Sequence, residues 1–269
     1  MCKYKRIMNT TINLIKRIKY YLISIKTLLI KVPLKVLWNM TFNKETVLKL
    51  DDGASFKLRN KFDLWVVKET YLDEDYRIDD DLIAENPTII DIGAYIGDYA
   101  IWAAKKYLNS KVYAIEPVKE NYDLVLENIE NSSLSNIKPY RLALHSSETE
   151  QYLKTKNISL SQSFIAQNEE SMDEKSPSMS LKNFMKVENI KKCHILKMDC
   201  EGSEYDILLN SEITFLKEKF DNIILEYHTH PEYSYKDLVK HLESADFEVE
   251  IIAPKFENGT GFMKAKKSK

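Results

Sequence analysis

Short apolar runs alternate with helical stretches from Thr88 onward, and this alternation constrains the fold more than any other feature of the chain. The apolar runs lie at 88–92, 111–115, 137–144, 194–198 and 222–227. The helical stretches between most of them lie at 97–108, 118–131, 203–217 and 235–245. Alternation of this kind is typical of a parallel sheet covered by helices on both faces. The sequence therefore predicts an α/β fold with a mostly parallel sheet.

The N-terminal region differs from the rest in charge. Residues 1–44 contain ten lysines and arginines and no acidic residue, which leaves about twelve excess negative charges on the other 225 residues. Three- and four-residue spacing places one apolar stripe on a helix, formed by Leu14, Ile18, Leu22, Ile25 and Leu29. We predict a basic amphipathic helical extension over 1–45. It would pack on its own domain or on a sister subunit, or lie against an anionic membrane surface.

The compartment can be inferred from the apolar stretches and the cysteines. The most apolar stretch, 20–38, is interrupted by three lysines. Its uncharged runs are too short to cross a bilayer or to form the apolar region of a signal peptide. Cys2, Cys193 and Cys200 form neither a metal-ligand pair nor a disulfide framework. The sequence predicts free thiols and a cytoplasmic location, with membrane association through the basic helix as an addition.

A second region precedes the alternating pattern. VLKLDDGASFKL alternates around the turn dipeptide Asp52-Gly53, and 64–67 is predicted to add a further strand. These elements predict a small β cap over 46–80 within one main domain, 46–269. Residues 154–187 are polar with weak periodicity and are predicted to form an insertion or lid.

Two strand ends carry the most informative residues. Asp91, Gly93 and Gly97 follow the first apolar run, where glycines let the backbone approach a ligand closely. Glu116 ends the next apolar run, where a carboxylate can accept both hydroxyls of a ribose. A pyrophosphate-binding turn would begin with glycine, whereas this one begins with Asp91. We therefore predict S-adenosylmethionine, which carries cationic centres and no phosphate, as the cofactor.

Four segments resemble, in order and spacing, the motifs of the FkbM-type methyltransferases. They are DIGAYIGDYAIWAAK, VYAIEPVKENYDLVLENI, ILKMDCEGSEYDILL and NIILEYH, and the resemblance covers roughly residues 60–250. It implies a class I methyltransferase fold, which is Rossmann-like with a mostly parallel seven-stranded sheet. It also implies methyl transfer from S-adenosylmethionine to an oxygen, as in the methylation of a sugar, a glycan or a small-molecule hydroxyl.

The resemblance also implies roles for individual residues. Asp91, Gly93 and Gly97 would line the methionine and ribose side of the cofactor, Glu116 would hold the ribose, and Ala143 would lie near the adenine. Tyr95 stands where the family usually has a small polar residue, often asparagine. Tyr95 is predicted either to contact the cofactor in a different way or to close part of its pocket.

Acidic residues follow the fourth apolar run of the sheet. An alcohol acceptor benefits from a base that removes its proton, and Asp199, Glu201 and His228 are the candidates. Glu204 could serve only to cap the next helix. Asp199, Glu201 and Glu226 are metal ligands by type, but their spacing gives little support for a metal site, and none is predicted.

Three functions other than oxygen methylation would require different sequence features. An RNA or other nucleic-acid methyltransferase is disfavoured, since Asp199-Cys-Glu-Gly stands where an adenine enzyme carries Asn or Asp before Pro-Pro-aromatic, and one basic helix is not a nucleic-acid footprint. A nicotinamide oxidoreductase is disfavoured by Asp91. A non-catalytic binding module stays open through Tyr95. The predicted partner is a small-molecule or glycan acceptor, with the basic helix as a membrane contact or an oligomer interface.

Overall fold

The fold is a single wound sheet with helices on both sides, preceded by a small cap. The computed structural model describes residues 19–79, 83–146, 151–153, 174–252 and 260–268. A first helix, α1, covers 19–31 in the described chain. The later helices are α2 (Leu34–Thr41), α3 (Lys61–Val67), α4 (Asp98–Lys106), α5 (Lys119–Asn131), α6 (Leu181–Val187), α7 (Ser203–Leu209), α8 (Ile213–Lys219) and α9 (Tyr235–Ser244).

The strands fall into one large sheet and three small pairs. They are β1 (Thr46–Lys49), β2 (Ser55–Leu58), β3 (Thr88–Ile92), β4 (Lys111–Ile115), β5 (Ile137–Tyr140), β6 (Ala143–Leu144), β7 (Gln151–Leu153), β8 (Glu174–Ser176), β9 (Ser178–Met179), β10 (Cys193–Met198), β11 (Phe220–Tyr227), β12 (Phe247–Ile252) and β13 (Gly261–Lys267). The large sheet has the order β12-β13-β11-β10-β3-β4-β5.

The large sheet confirms the predicted fold class. From β11 to β5, every pair of neighbouring strands is parallel, whereas β13 pairs antiparallel with both β11 and β12. The chain starts at the centre of the sheet with β3, winds outward to β5, and returns to β10 on the other side. This is the mostly parallel seven-stranded, Rossmann-like arrangement that the sequence resemblance implies. The carboxyl ends of β3, β4 and β10 consequently meet at one edge.

Two apolar cores lie on the opposite faces of this sheet. Successive side chains of a strand point to opposite faces, so Ile89 belongs to one core and Ile90 to the other. The first core includes the cap and α4, and the second includes α6, α7 and α9. A strand buried on both faces reads as a continuous apolar run, which is why the sequence pattern located these strands.

The cap contains the predicted hairpin β1–β2, but the prediction of a further strand at 64–67 is wrong. That segment belongs to α3. The helix begins there because the Asn60 side chain accepts hydrogen bonds from the backbone N–H groups of Phe62 (2.8 Å) and Asp63 (3.1 Å). A run of four apolar residues fits a buried helix segment as well as a strand, and here the preceding cap decides.

Other elements differ from the sequence pattern in extent. The run 137–144 divides into β5, which pairs with β4, and β6, which pairs with β9. The helical stretch 203–217 divides into α7 and α8. Strands β12 and β13 were not predicted. Of the predicted insertion 154–187, residues 154–173 lie outside the described chain, and 174–187 hold β8, β9 and α6.

The predicted amphipathic stripe on α1 faces away from the domain. Leu14 and Ile18 lie outside the described residues, while Leu22, Ile25 and Leu29 are all exposed, Leu22 to 62%. The opposite side of α1 contacts the cap, with Ser24 fully buried. Within the described chain, no helix is both long and apolar enough to span a membrane.

Candidate active site

A cleft of about 880 Å³, including space open to solvent, lies at the carboxyl ends of β3, β4 and β10. Ligands of open α/β sheets bind at this edge. The walls come from the glycine turn after β3, the loops after β4 and β10, the segment at β6, and α3. Among the lining residues are Gly93, Tyr95, Asp98, Glu116, Asn121, Ala143, Lys197, Asp199 and Glu201.

The glycine turn after β3 approaches the loop after β10 very closely. Gly93 has a left-handed φ of +76°, and a Cβ on it would lie only 1.8 Å from the backbone oxygen of Asp199. Any side chain at Gly93 would therefore push the two loops apart. Gly97 also has a positive φ, of +84°, and begins α4, but it lies outside the lining of the cleft.

Glu116 is a buried carboxylate in the cleft wall. It is only 5% exposed, and its two oxygens accept the backbone N–H groups of Tyr95 and Val118, both at 2.9 Å. Burial raises the pKa of Glu116 to about 7, although the two hydrogen bonds lower it in part. Each carboxylate oxygen can accept more than one hydrogen bond, so Glu116 keeps capacity for a ligand's hydroxyl groups.

Asp91 is placed behind the wall and does not line the cleft. It is fully buried, and its Oδ1 lies 2.9 Å from the Nζ of Lys197. Lys197, 3% exposed, also donates to the backbone oxygen of Gly93 at 2.8 Å. Burial alone would lower the pKa of Lys197, but the nearby carboxylates outweigh it and raise that pKa. Asp91 thus holds the glycine turn through Lys197, and its contact with a cofactor stays a prediction.

Lys197 is a site residue that the sequence analysis did not assign. The sequence does point to it, because a lysine inside an apolar strand is rarely buried without a charged partner. The partner could have been sought at the neighbouring strand. Lys197 and Asp91 occupy opposed positions in the parallel pair β10–β3.

Tyr95 joins the cap to the glycine turn. Its hydroxyl donates to Oδ1 of the buried Asp63 at 2.5 Å and accepts a hydrogen bond from Arg59 at 3.1 Å. Arg59 in turn forms an ion pair with Asp63 at 3.0 Å. The ring packs edge-on against Phe62 with the centroids 5.5 Å apart. Tyr95 therefore forms part of the cleft wall, and its hydroxyl is directed into the cap.

The structure brings the three predicted catalytic residues together. Asp199 and Glu201 lie in the cleft wall, and the Nε2 of His228 is 3.8 Å from Oδ1 of Asp199 and 3.6 Å from Oε2 of Glu201. Glu204 is fully buried, and its Oε1 lies 2.9 Å from the Nδ1 of His228. Burial would lower the pKa of His228, but the charges of Glu204, Asp199 and Glu201 raise it to about 10.

Among Asp199, Glu201 and His228, Glu201 differs in its backbone conformation and in its hydrogen bonding. It adopts a left-handed φ of 52°. Its Oε2 is buried and has no hydrogen-bond partner in the described part of the chain. Burial raises the pKa of Glu201 to about 8. Glu204 does more than the helix capping considered from sequence, because it accepts the N–H groups of both Gly202 (2.9 Å) and His228 (2.8 Å). It fixes the loop that presents Glu201.

Tyr76 and Glu226 complete the cluster. The Tyr76 hydroxyl lies 3.0 Å from Oδ2 of Asp199 and 3.2 Å from Oε2 of Glu226. Burial raises the pKa of Glu226 to about 8. Tyr76 belongs to the segment before β3, more than 120 residues from Asp199. No local sequence pattern therefore points to Tyr76.

Residues 91–249, more than half of the chain, match the family model described as the Methyltransferase FkbM domain. "Methyltransferase 1" of Beauveria bassiana (strain ARSEF 2860) is 22% identical over 184 residues, which cover 60% of this chain and 72% of the relative. "Methyltransferase sdnD" of Sordaria araneosa is 34% identical over 84 residues. That match covers 31% of this chain and spans about a third (32%) of the relative.

Two solved structures are similar to this chain at low identity. A precorrin-6y C5,15-methyltransferase from Geobacter metallireducens GS-15 has a TM-score of 0.45 and 12% identity, covering 78% of this chain and 90% of that one. TYW2 of M. jannaschii, crystallised with AdoMet, has a TM-score of 0.41 and 21% identity, covering 82% and 85%. The FkbM match includes the glycine turn, Glu116 and the clustered residues Asp199, Glu201, Glu226 and His228; it does not include Tyr76. The chain therefore belongs to the FkbM methyltransferase family, whose methyl donor is S-adenosylmethionine.

Proposed function

We propose that the protein transfers the methyl group of S-adenosylmethionine to a hydroxyl oxygen of a sugar, a glycan or a small molecule. The observation that carries the proposal is the Oε2 atom of Glu201, a buried carboxylate oxygen without a hydrogen-bond partner among the described residues, in the wall of the cleft. An alcohol must lose its proton as it is methylated, and a positioned carboxylate can take it.

The chemistry of the cleft walls suits the donor. Asp98, Glu116, Asp199 and Glu201 are acidic lining residues, whereas the buried Lys197 is already paired with Asp91. Carboxyl groups at this site favour a ligand with cationic centres and disfavour phosphates. Glu116 would accept the ribose hydroxyls, with Gly93, Tyr95 and Ala143 around the rest of the donor. This fit supports S-adenosylmethionine over a dinucleotide.

On the acceptor side, this chain has to orient a hydroxyl and take up its proton. The acceptor oxygen forms the new bond to carbon, the bond to sulfur breaks with its electron pair on sulfur, and the proton passes to Glu201. The Nε2 of His228 lies 3.6 Å from Oε2 of Glu201, so a charged imidazole would favour the ionised carboxylate that accepts the proton. Much of the rate enhancement would come from alignment of the reacting atoms.

The rival functions make different demands on the same cleft. A nucleic-acid acceptor would bring phosphates to a rim with Asp199 and Glu201, which is unfavourable. The non-catalytic alternative would be supported by a Tyr95 side chain that blocks the donor cleft. The Tyr95 hydroxyl instead bonds to Asp63 in the cap, and the cleft stays open beside it. These features favour an enzyme acting on an uncharged or cationic alcohol.

The acceptor class can be tested with donor that carries a radiolabelled methyl group. The full-length protein is incubated with glycans, small alcohols and RNA in parallel, and each fraction is counted after alkaline treatment. Methyl ethers survive alkali, whereas methyl esters do not, so stable label in a glycan or alcohol fraction is the expected result. Label that appears only in RNA would overturn the proposed acceptor class.

We expect donor affinity to depend on pH through Glu116. The raised pKa, about 7, means that Glu116 is protonated below that pH and ionised above it. The ionised form is the better acceptor for two hydroxyls, so affinity should fall from about pH 8 to about pH 6. Glu116→Gln cannot titrate and should remove this part of the pH dependence. The donor's own amino group titrates near 8 in both proteins and cancels in the comparison.

The pH experiment is read by calorimetric titration of S-adenosylmethionine into both proteins at matched ionic strength. Parallel pH profiles for the wild type and Glu116→Gln would show that Glu116 is not the titrating acceptor. We expect the donor affinities of the wild type and Glu116→Gln to differ most at high pH and to become similar at low pH.

We also propose that α1 and α2 lie against an anionic membrane surface, on the cytoplasmic side. The face they turn away from the domain is apolar, with Leu22, Ile25, Leu29, Ile30, Leu34 and Trp38 all exposed. Lysines 19, 26, 31 and 35 of the same two helices and their junction are also exposed. The ten basic and no acidic residues of 1–44 complement anionic lipid headgroups. The cysteines that the structure describes, Cys193 and Cys200, are free thiols, which suits a reducing compartment.

Vesicle sedimentation tests this surface. The wild type should pellet with phosphatidylcholine vesicles that contain phosphatidylserine, and less with phosphatidylcholine alone. Leu22→Ser with Leu29→Ser should weaken binding by about tenfold or more, since a buried leucine contributes about 1.5–3 kcal/mol. Leu108→Ser is the control, because Leu108 is equally exposed but distant in sequence. Failure to pellet, or a lipid-independent dimer abolished by the same double variant, would contradict a lipid partner.

A further inference from the structure

The Asp199–His228 cluster contains more ligand atoms than proton transfer requires. Asp199, Glu226 and His228 each offer one oxygen or nitrogen atom, and these three atoms lie within 4.8 Å of one another. Glu226 lies near the end of β11, and Asp199 and His228 directly follow the adjacent strands β10 and β11, at the edge where the cleft opens. A cation centred between them would be in reach of all three.

His228 is prepared as a ligand. It is 6% exposed, and its Nδ1 is held by Glu204 at 2.9 Å. That leaves Nε2, which makes no hydrogen bond to any residue in the described ranges and points toward the carboxylates of Asp199 and Glu201. A carboxylate on the remote ring nitrogen is the arrangement that orients metal-bound histidines and fixes their tautomer.

The oxygen ligands are also partly uncommitted. Tyr76 engages Oδ2 of Asp199 and Oε2 of Glu226, which leaves the second oxygen of each carboxylate available. Oε2 of Glu201, buried and without a hydrogen-bond partner in the described chain, lies beside them. Four carboxyl groups lie around one imidazole, and a bound cation would offset the repulsion among their buried negative charges.

We propose that Asp199, Glu226 and His228 bind one divalent first-row transition ion, with Glu201 beside it. One imidazole and two carboxylates suit Mn²⁺ or a similar ion better than Mg²⁺, which prefers oxygen alone. Resting on the proposed function, the ion would hold the acceptor hydroxyl next to Glu201 and make its proton easier to remove. No short metal motif appears in the sequence because 26 residues separate Asp199 from Glu226.

The test is Mn²⁺ binding to chelator-treated, full-length protein without donor or acceptor, followed by electron paramagnetic resonance of the free ion. The wild type should bind one Mn²⁺ per chain. Glu226→Gln and His228→Gln should each weaken binding at least tenfold. His230→Gln, a histidine two positions along with its Nδ1 accepting backbone N–H groups, should bind as the wild type does.

The outcomes separate the metal site from the methyl transfer. No binding by a folded wild type, or binding unchanged in Glu226→Gln, would overturn the site, whether or not the protein methylates anything. Because His228→Gln could destabilise the buried Glu204, Glu226→Gln is the deciding variant. It retains an oxygen that can accept the hydrogen bond from Tyr76. If Mn²⁺ binds the wild type and is weakened by Glu226→Gln, but the protein transfers no methyl group, the proposed function is contradicted and the metal site is supported.

Discussion

Replacing Lys197 with methionine is expected to lower the free energy of unfolding by about 3–5 kcal/mol. Methionine fills a similar volume but leaves the fully buried Asp91 without its cationic partner at 2.9 Å. It also removes the donor to the backbone oxygen of Gly93. Urea denaturation at neutral pH measures the loss directly. The expected effect is large because an uncompensated buried charge costs far more than an ion pair contributes.

Two controls isolate the cause of that loss. Lys182→Met removes an ion pair with Glu212 in which both side chains are more than half exposed, and it should cost less than about 1 kcal/mol. Adding Asp91→Asn to Lys197→Met removes the unpaired charge and should recover part of the stability. If Lys197→Met were as stable as Lys182→Met, the buried pair would not be holding the glycine turn.

Glu201→Gln is expected to reduce kcat by about 10²–10³-fold, the range of a lost general base. Glutamine keeps the size of the side chain but cannot take up the acceptor's proton. Donor affinity should change little, because the predicted ribose contact belongs to Glu116. Single-turnover kinetics with labelled donor and calorimetric titration measure the two quantities separately.

The matched control for Glu201→Gln is Glu212→Gln, an exposed glutamate at the start of α8 that pairs with Lys182. Its turnover should equal that of the wild type. Should Glu201→Gln also turn over normally, the proton must leave by another route, and Asp199→Asn becomes the variant to examine. A loss confined to donor affinity would place Glu201 in the donor site.

The sequence predicted the parts of the fold that depend on local pattern. Strands β3, β4, β10 and β11 are apolar runs because they are buried on both faces, and the pattern located them within a few residues. The helix α3 was missed because four apolar residues carry no period, and only the Asn60 cap distinguishes it from a strand. The edge strand β12 alternates apolar and polar residues as Phe247-Glu-Val-Glu-Ile, so its pattern is present in the sequence and was missed, whereas β13 alternates over only part of its length.

The candidate site divides in the same way. Glu116 and Asp199 follow strands directly, so their meeting at one edge follows from parallel topology alone. The ion pair of Asp91 with Lys197, and the contact of Tyr76 with Asp199, depend on side-chain direction and on long-range packing. No spacing rule contains that information. The position of His228 was predicted, but its buried partner Glu204 was understood only as a cap.

The central claim is that the cleft binds S-adenosylmethionine with the Glu116 carboxylate on its ribose. Calorimetric titration of the donor into the wild type, Glu116→Ala and the control Glu127→Ala, whose side chain is exposed beside Lys57, tests it most directly. We predict that Glu116→Ala weakens binding by about 1.5–3 kcal/mol, roughly 10- to 150-fold, while Glu127→Ala binds as the wild type does. Equal donor affinity in all three proteins would contradict the claim.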